Sequence, residues 1–296
     1  MAGSKEIKRR IESVQNTKQI TSAMKMVSAS KLRKVQAKLG SGDVYRTQLS
    51  RLLANLSENV EDITDIPLLE IREVTSIALV VITANRGLCG GYNHHLLKQA
   101  LEFYEEKKAL GVDLGIIAVG KKAEEFFLRR GLRVDQSFLD FSDIGEQEDA
   151  LTLSEALKEA YLQKRYDEIY LAYQAFGSVI SQTPTIIRLL PASCEQIEDK
   201  EKVDDAQETT YLPNYIFEPE PQEILSLLLA RYFQVMIESA LIEARAGEHG
   251  ARMTAMSAAT DNATELLQTL KLSYNRARQA AITSEITEIV AGVNAL

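Results

Sequence analysis

The chain has 296 residues, 45% of them hydrophobic and 26% charged, which is the composition of a soluble globular protein with room for one large domain or two ordinary ones. Cys89 and Cys194 are its only cysteines, so the composition excludes a disulfide framework and fits a reducing compartment. The formal net charge of −8 conceals a strong asymmetry, because the amino-terminal 40 residues are basic.

Residues 1–40 hold ten Lys or Arg and two Asp or Glu, a net charge of +8, so the rest of the chain carries −16. Such a segment can meet nucleic acid, an anionic lipid surface or an acidic protein surface, or it can be the solvated face of a long helix. The opening MAGSKEIKRRIESVQ lacks the apolar core of a signal peptide. No uncharged apolar run of about 18 residues occurs either, and together these features predict a cytosolic or peripheral protein.

The first 66 residues contain no proline, as an uninterrupted helix requires. Apolar residues recur through this arm at helical spacing. The stretch Gly40-Ser41-Gly42 predicts a kink or a short break, followed by a further helix to about Asn59. We therefore predict a first segment, residues 1–60, that forms an N-terminal long helix.

Residues 70–210 change to short apolar runs that alternate with helical patterns, which is typical of a parallel α/β sheet. The runs that predict strands are SIALVVIT (76–83), LGIIAVG (114–120), EIYLAY (168–173) and TIIRLL (185–190).

A second proline-free arm follows EPEPQE and predicts a C-terminal long helix within residues 211–296. Some 75 residues at about 1.5 Å each would extend roughly 110 Å, too far to lie on a domain of this size. The final stretch, AAITSEITEIVAGVNAL, is apolar and uncharged after Glu288, whereas chain ends are usually polar. We expect another protein to cover its apolar stripe, which comprises Ile282, Ile286, Ile289, Val293 and Leu296.

Two turns after predicted strands resemble phosphate-binding loops only in part. TANRGLCGGYN (83–93) lacks G-x-G-x-x-G and the Walker lysine, and VGKKAEE (119–125) lacks the glycine spacing and the hydroxyl residue. We interpret both as tight turns that need glycine, and Cys89 as a buried small residue. The three histidines have no companion at metal-ligand spacing. The sequence therefore predicts no catalytic residue, no cofactor and no metal site.

Several stretches resemble one known family: IKRRIESVQNTKQITSAMKMVSASKLRK (7–34), RGLCGGYN (86–93), EHGARMTAMSAATDNATELL (248–267), YNRARQA (274–280) and ITSEITEIVAG (282–292). Together and in this order they resemble the gamma subunit of bacterial F-type (F1Fo) ATP synthases over the whole chain. The resemblance implies an α/β fold, with a Rossmann-like parallel-sheet domain flanked by two long terminal helices that form an antiparallel coiled coil. It also implies a non-catalytic rotor shaft that couples ion-driven rotation of the c-ring to conformational changes of the catalytic beta subunits.

The partners implied by the resemblance are the alpha and beta subunits, the epsilon subunit and the c-ring, at the cytoplasmic face of the bacterial plasma membrane. No nucleic acid is implied, and membrane association comes only through the Fo sector. The residues implied to contact alpha or beta, as catch or bearing, are Met24, Arg252, Gln279, Thr283, Glu285, Val293 and Leu296. The residues implied at the foot, against the c-ring or epsilon, are Tyr215 and Glu218.

Three positions depart from the residues usual in the family. Val293 stands in place of alanine and thickens the helix end by two methyl groups. Lys25 stands where an acidic residue is common, and it adds to the positive charge of the first arm. Asn85 replaces aspartate and concerns only the side domain.

Two other classes of protein remain open on the residues alone. A freestanding coiled-coil interaction protein would use the basic N-terminal arm, although that arm lacks the interleaved aromatic residues typical of nucleic-acid binding. A Rossmann enzyme with helical extensions would need a phosphate-binding fingerprint, and the sequence contains none.

Overall fold

The computed structural model describes residues 2–57, 66–192 and 221–294. Five strands in these ranges form one sheet, in the order β3-β2-β1-β4-β5. Four strands are parallel and β5 pairs with β4 in the antiparallel direction. The strands are β1 (Ser76–Ile82), β2 (Asp113–Val119), β3 (Val134–Phe138), β4 (Glu168–Phe176) and β5 (Gln182–Leu190).

Helices cover both faces of the sheet. Helices α2 (Tyr92–Ala109) and α3 (Lys121–Leu128) pack on one face, where Leu96 and Phe127 are completely buried. Helix α4 (Gln147–Leu162) packs on the other face. Because β1 and β2 are buried on both sides, their sequences are nearly continuous apolar runs and do not alternate with polar residues.

Two long helices complete the fold, α1 (Ala2–Ser57) and α5 (Pro221–Asn294). Leu49 and Leu53 of α1 and Ile237 of α5 belong to the same buried cluster as α4 and one face of the sheet. The predicted fold class is confirmed: the sheet is mainly parallel and long helices flank it at both ends of the chain.

Of the predicted kink or short break at Gly40-Ser41-Gly42, the break is wrong, because α1 is continuous through these residues. A glycine inside a helix costs about 1 kcal/mol relative to alanine. Packing on both sides of the glycines offsets that cost: Val35 before them is fully buried, and Leu49 and Leu53 after them are at most 4% exposed. Tertiary burial therefore overrides the local preference for a break.

All four predicted strands are present at their predicted places, and one further strand was not predicted. The missed strand is β3, whose sequence VDQSF is polar and only half-buried at the edge of the sheet. β5 departs from the parallel expectation because only residues 177–181 separate it from β4. A connection that short permits a hairpin but not a parallel crossover.

The described residues divide into two compact units. The first, called here the helix-pair unit, consists of residues 2–29 of α1 and 252–294 of α5. The second, called the α/β unit, lies within residues 30–251 and contains the sheet, α2 to α4 and the adjoining parts of the two long helices.

One stretch of α5 is long and apolar enough to span a membrane by length and composition alone, and 39% of it is buried inside the chain. The core helices of soluble proteins commonly have the same character. The composition of this stretch is therefore weak evidence for a membrane span.

Candidate partner-binding surface

Two side-chain contacts define how the helices of the helix-pair unit run. Thr21 Oγ1 lies 2.8 Å from Thr260 Oγ1, and Lys25 Nζ donates a hydrogen bond of 2.9 Å to Ser257 Oγ. The partner's number on α5 falls as the residue number on α1 rises, so the helices are antiparallel. The predicted antiparallel pairing of the two terminal arms is confirmed at this level.

The seam between these helices is narrow and built from small or flexible side chains. Thr21, Met256, Ala263 and Leu267 are each at most 8% exposed. The threonine hydroxyls are satisfied locally as well as across the pair, since Thr260 Oγ1 also donates to the carbonyl oxygen of Met256 at 2.7 Å. Many other residues of the two helices in this unit are exposed.

Beyond Leu267 several large apolar side chains of α5 are exposed. The exposed fractions are 47% for Ile282, 57% for Ile286, 67% for Ile289 and 52% for Val290. Burying a side chain of this kind completely contributes about 1.5–3 kcal/mol, so roughly half of that gain is left unused at each position. These residues therefore form an apolar surface that a partner can cover.

The predicted interface residues Gln279 and Thr283 are exposed and lie one turn apart on α5. Thr283 Oγ1 donates a 3.0 Å hydrogen bond to the carbonyl oxygen of Gln279, so its hydroxyl proton is used within the helix. The Gln279 amide extends from the exposed side of the helix. Met24 of α1 is half-buried. Gln279 is thus the polar interface candidate best placed to reach another chain.

Arg252 differs from the sequence expectation. Its residue exposure is 8%, so its side chain is largely enclosed by this chain, and the expectation that it faces only a partner is wrong. The side chains of Glu285 and Val293 lie outside the description of the structure, as do Leu296, Tyr215 and Glu218 entirely.

The first arm exposes most of its positive charge. Lys5, Lys8, Arg9 and Arg10 are exposed, and the ion pair of Arg10 with Glu6, at 3.6 Å, lies in solvent. Exposed apolar side chains lie further along α1, namely Ile20 at 61%, Met26 at 65% and Val27 at 56%. The α1 part of the helix-pair unit therefore combines cations with apolar side chains, which is a surface suited to an acidic protein partner.

The crevice where a Rossmann sheet usually binds its ligand, beside the carboxyl ends of β1 and β4, contains part of α5. Tyr92, at the start of α2, donates its hydroxyl to the carbonyl oxygen of Ala244 at 2.6 Å. Gln174 of β4 donates to the carbonyl oxygen of Tyr92 at 2.9 Å. Both contacts are buried, so the chain's own helix occupies this position.

The backbone donors at the start of α3, which could hold a phosphate, are used within the chain. Lys121 N donates to Asn85 Oδ1 at 3.0 Å, Lys122 N to the Ala84 carbonyl at 3.3 Å, and Ala123 N to Thr83 Oγ1 at 2.9 Å. Gly120, which precedes the helix, has φ of +96°, a backbone conformation that side chains disfavour. The interpretation of VGKKAEE as a tight turn agrees with this geometry.

The side-chain amide of Asn85 uses both its oxygen and its nitrogen in hydrogen bonds. Its Oδ1 accepts from Lys121 N, and its Nδ2 donates to the Leu139 carbonyl at 3.0 Å. An ionised aspartate would keep the first bond and lose the second. Cys89 is 2% exposed, as predicted. Cys194 lies outside the described residues.

Sequence reasoning missed a buried polar cluster on α5. Arg245 is 2% exposed and its Nη1 donates to Glu248 Oε2 at 3.0 Å. His249, also 2% exposed, places Nε2 at 2.7 Å from the Asp143 carbonyl oxygen. The sequence signal was the polar run EARAGEHGAR interrupting an otherwise apolar stripe. No comparable sequence signal marked Asp143, the residue in the loop before α4 whose carbonyl oxygen lies beside His249.

The fold and the surfaces together define a class of protein: an assembly subunit whose Rossmann crevice is filled by its own helix and whose long helices present surface to other chains. The family model described as ATP synthase matches residues 3–296.

Relatives of known name match over the whole chain. The ATP synthase gamma chain of Moorella thermoacetica is 45% identical over 296 residues and covers 100% of both chains. That of Geotalea daltonii is 43% identical, with coverage of 100% of this chain and 99% of the relative. The chain belongs to the ATP synthase family, among its gamma chains. This assignment does not support the freestanding interaction protein.

Solved structures agree in fold. The chain resembles one in the rotor of the Euglena gracilis mitochondrial ATP synthase, with a TM-score of 0.65, 21% identity and coverage of 95% of this chain and 99% of that one. A chain in the central stalk and c-ring structure of the Tetrahymena thermophila mitochondrial enzyme gives a TM-score of 0.59 at 22% identity, covering 81% and 99%.

Proposed function

We propose that this chain is the central rotor shaft of an F-type ATP synthase. It is itself non-catalytic and couples ion-driven rotation of the c-ring to conformational changes of the catalytic beta subunits, for ATP synthesis or hydrolysis. In this function, residues 1–60 and 211–296 are the two long arms of the shaft, and residues 70–210 are its side domain.

The observation that carries the proposal is the exposed apolar end of α5. Ile282, Ile286, Ile289 and Val290 are each about half exposed or more. A bearing made of apolar contacts has few directional hydrogen bonds to break as the shaft turns, whereas each lost hydrogen bond leaves a polar group to be satisfied again. The apolar side chains of this surface thus favour enclosure in a sleeve that permits rotation.

The catch is proposed to lie just below this end, where Gln279 and Thr283 share one exposed face of α5. Met24, Glu285, Val293 and Leu296 complete the proposed contacts with alpha and beta. Arg252 is left out of the proposal because it is buried within its own chain. The foot is proposed around Tyr215 and Glu218, against the c-ring and epsilon.

The basic face of α1 gives the shaft a means to distinguish among beta subunits by charge. Lys5, Lys8, Arg9 and Arg10 are exposed, and an acidic loop on a partner would be attracted to them. This attraction is screened over about 8–10 Å at physiological salt, so it acts at close range. The complex is proposed to lie peripherally at the cytoplasmic face of the plasma membrane.

Reconstitution tests the proposal. Alpha and beta chains are assembled with and without this chain, and ATP hydrolysis is measured. We expect stimulation by the unmodified chain and weaker stimulation by the variant that carries Ile286→Ser and Ile289→Ser. Leu110→Ser is the matched control, because Leu110 is also an exposed apolar residue, at 70%, but lies in the α/β unit. Equal hydrolysis with and without the chain would refute the proposed function.

A further inference from the structure

The loop between β3 and α4, residues 139–146, contacts both long helices within the α/β unit. On α1, Lys31 donates through Nζ to Asp143 Oδ2, and Lys38 Nζ donates to the Gly145 carbonyl at 2.9 Å. Lys31 and Lys38 are seven positions apart, which places them two turns apart on one face of α1.

The same loop meets α5 at a matching interval. His249 Nε2 lies 2.7 Å from the Asp143 carbonyl oxygen. Gly145 has φ of +63°, and a Cβ built on it would lie 3.2 Å from Ile242 Cγ1. Ile242 and His249 are again seven positions apart. Asp143 and Gly145 therefore each lie beside both α1 and α5.

The loop is fixed on its own side as well. Ser142 N donates to Asp149 Oδ2 at 2.8 Å, and Glu146 with Asp149 forms a capping box at the start of α4. The Leu139 carbonyl accepts from Asn85 Nδ2 at 3.0 Å. The loop is therefore also held by contacts within the α/β fold that do not involve the two long helices.

Polar contacts matter on α1 because its apolar residues at this level are not part of the sheet core. Leu32 and Val35 are buried, but neither belongs to the two apolar clusters that cover the sheet among the described residues. The Lys31 ammonium group lowers the pKa of the Asp143 carboxyl below its usual value, and Arg245 and His249 add to this effect. The carboxylate thus stays charged around neutral pH.

We propose that residues 139–146 form a polar clip that fixes the position of α1 beside α5, through Lys31 and Lys38 on one helix and Ile242 and His249 on the other. Asp143 is its central positioning residue, because it contacts α1 with its side chain and α5 with its backbone. In a rotating shaft the clip limits twisting of α1 relative to α5. That consequence rests on the proposed function, whereas the clip itself does not.

A distance measurement in the full-length chain tests the clip directly. Spin labels are attached at Gln36→Cys on α1 and Glu155→Cys on α4, both exposed positions, after Cys194→Ser. Cys89 is 2% exposed and is shielded from the reagent. Pulsed electron paramagnetic resonance then gives the distribution of distances between the two labels.

We expect a narrow distribution for the parent and a broad one for Asp143→Asn and for Lys31→Gln. Asp143→Glu, which keeps the carboxylate, should restore the narrow distribution. Asp140→Asn is the matched control, because Asp140 is an exposed carboxylate in the same loop. The melting temperature should change little, since Lys31 and Asp143 side chains are 36% and 48% exposed and such pairs contribute little to stability.

A distribution for Asp143→Asn as narrow as the parent's would overturn the clip, as would equal broadening by Asp140→Asn. The proposed effect of the clip on the shaft is measured separately, in the assembled enzyme, as the angular fluctuations of a single stalled rotor. Asp143→Asn should widen these fluctuations and Asp143→Glu should not. If the chain supported no rotation at all, the proposed function would fail while the distance measurement still decided the clip.

Discussion

The α/β unit contains a large buried apolar core, whereas the helix-pair unit buries few of its side chains. In the α/β unit every residue from Ile77 to Ile82 is fully buried, and the backbone donors at the start of α3 are paired within the chain. In the helix-pair unit Ile289 is 67% exposed and Met26 is 65% exposed. The α/β unit thus contains the large buried core, whereas the helix-pair unit buries few side chains and presents apolar surface that burial in a partner would stabilise.

The difference in burial follows from the groups that pack against each part of α5. Ile237 and Ile289 both belong to α5, and both are apolar residues on a helix of the same kind. Ile237 packs in the cluster shared with α4 and the sheet, and its exposure is 0%. Ile289 lies in the helix-pair unit, and its exposure is 67%. We infer from this comparison that the exposed apolar side chains of the helix-pair unit contribute little to folding and are available for association.

The largest expected effect is on the free energy of unfolding, and it compares a buried isoleucine of α5 with an exposed one. Ile237→Ala should lower the free energy of unfolding by about 2–5 kcal/mol, because it removes buried methyl groups and leaves a cavity. Ile289→Ala, the same chemical change at an exposed position, should change it by about 0.5 kcal/mol or less. Chemical denaturation of the isolated chain measures both. Similar losses for the two variants would contradict the division between the units.

A second prediction concerns Asp167, a carboxylate of the α/β unit whose hydrogen bonds are made within the chain. Asp167 Oδ2 accepts from Thr75 N at 2.9 Å, Thr75 Oγ1 at 2.7 Å and Ser76 N at 2.9 Å. Burial raises the pKa of Asp167, but these hydrogen bonds together outweigh it, so the pKa lies below its usual value. Asp167→Asn should cost about 2 kcal/mol, because bonds to a charged acceptor are lost.

The sign of the pH dependence follows from the lowered pKa. The contribution of Asp167 is present above the unfolded-state pKa, near 3.8, and is lost as the pH falls through the folded-state value. The cost of Asp167→Asn should therefore shrink in acid. Asp113→Asn is the control, since its side chain is 69% exposed and its ion pair with Arg133 is worth about 1 kcal/mol or less. A pH-independent cost for Asp167→Asn would argue against the charge.

The smallest effect on stability is expected at the proposed catch. Gln279→Ala should leave the unfolding free energy within about 0.5 kcal/mol of the parent, because the side chain is exposed. It should nevertheless lower ATP turnover of the assembled enzyme. Arg252→Ala provides the contrast, since that residue is 8% exposed and should cost about 1–3 kcal/mol in the isolated chain. Unchanged turnover with Gln279→Ala would remove this residue from the catch.

The sequence predicted the elements of the α/β unit well where burial was complete. SIALVVIT and LGIIAVG are apolar at nearly every position because their strands are covered on both faces, and such runs are readable without a structure. VDQSF was not readable, because an edge strand is half solvated and needs no apolar pattern. The direction of β5 depended on the short connection after β4, which periodicity does not reveal.

The candidate partner-binding surface was likewise predictable only where its signal is local in the sequence. The exposed apolar end of α5 was predicted from its stripe, and the exposures of Ile282, Ile286 and Ile289 agree with it. The enclosure of Arg252 was not predicted, because a guanidinium on a helix looks the same in sequence whether solvent or its own chain surrounds it. The contacts of Asp143 with Lys31 and His249 join residues more than a hundred positions apart, which no local pattern specifies.

By itself, the sequence determined the two long helices, the apolar strands between them and the family, because these depend on local periodicity and on motifs that are contiguous in the chain. Only the tertiary structure decided that α1 continues through Gly40, that α5 fills the crevice of the sheet, and that the loop before α4 contacts both helices. Each of these depends on groups brought together from distant parts of the chain, where packing and hydrogen bonding outweigh the local preference of any one residue.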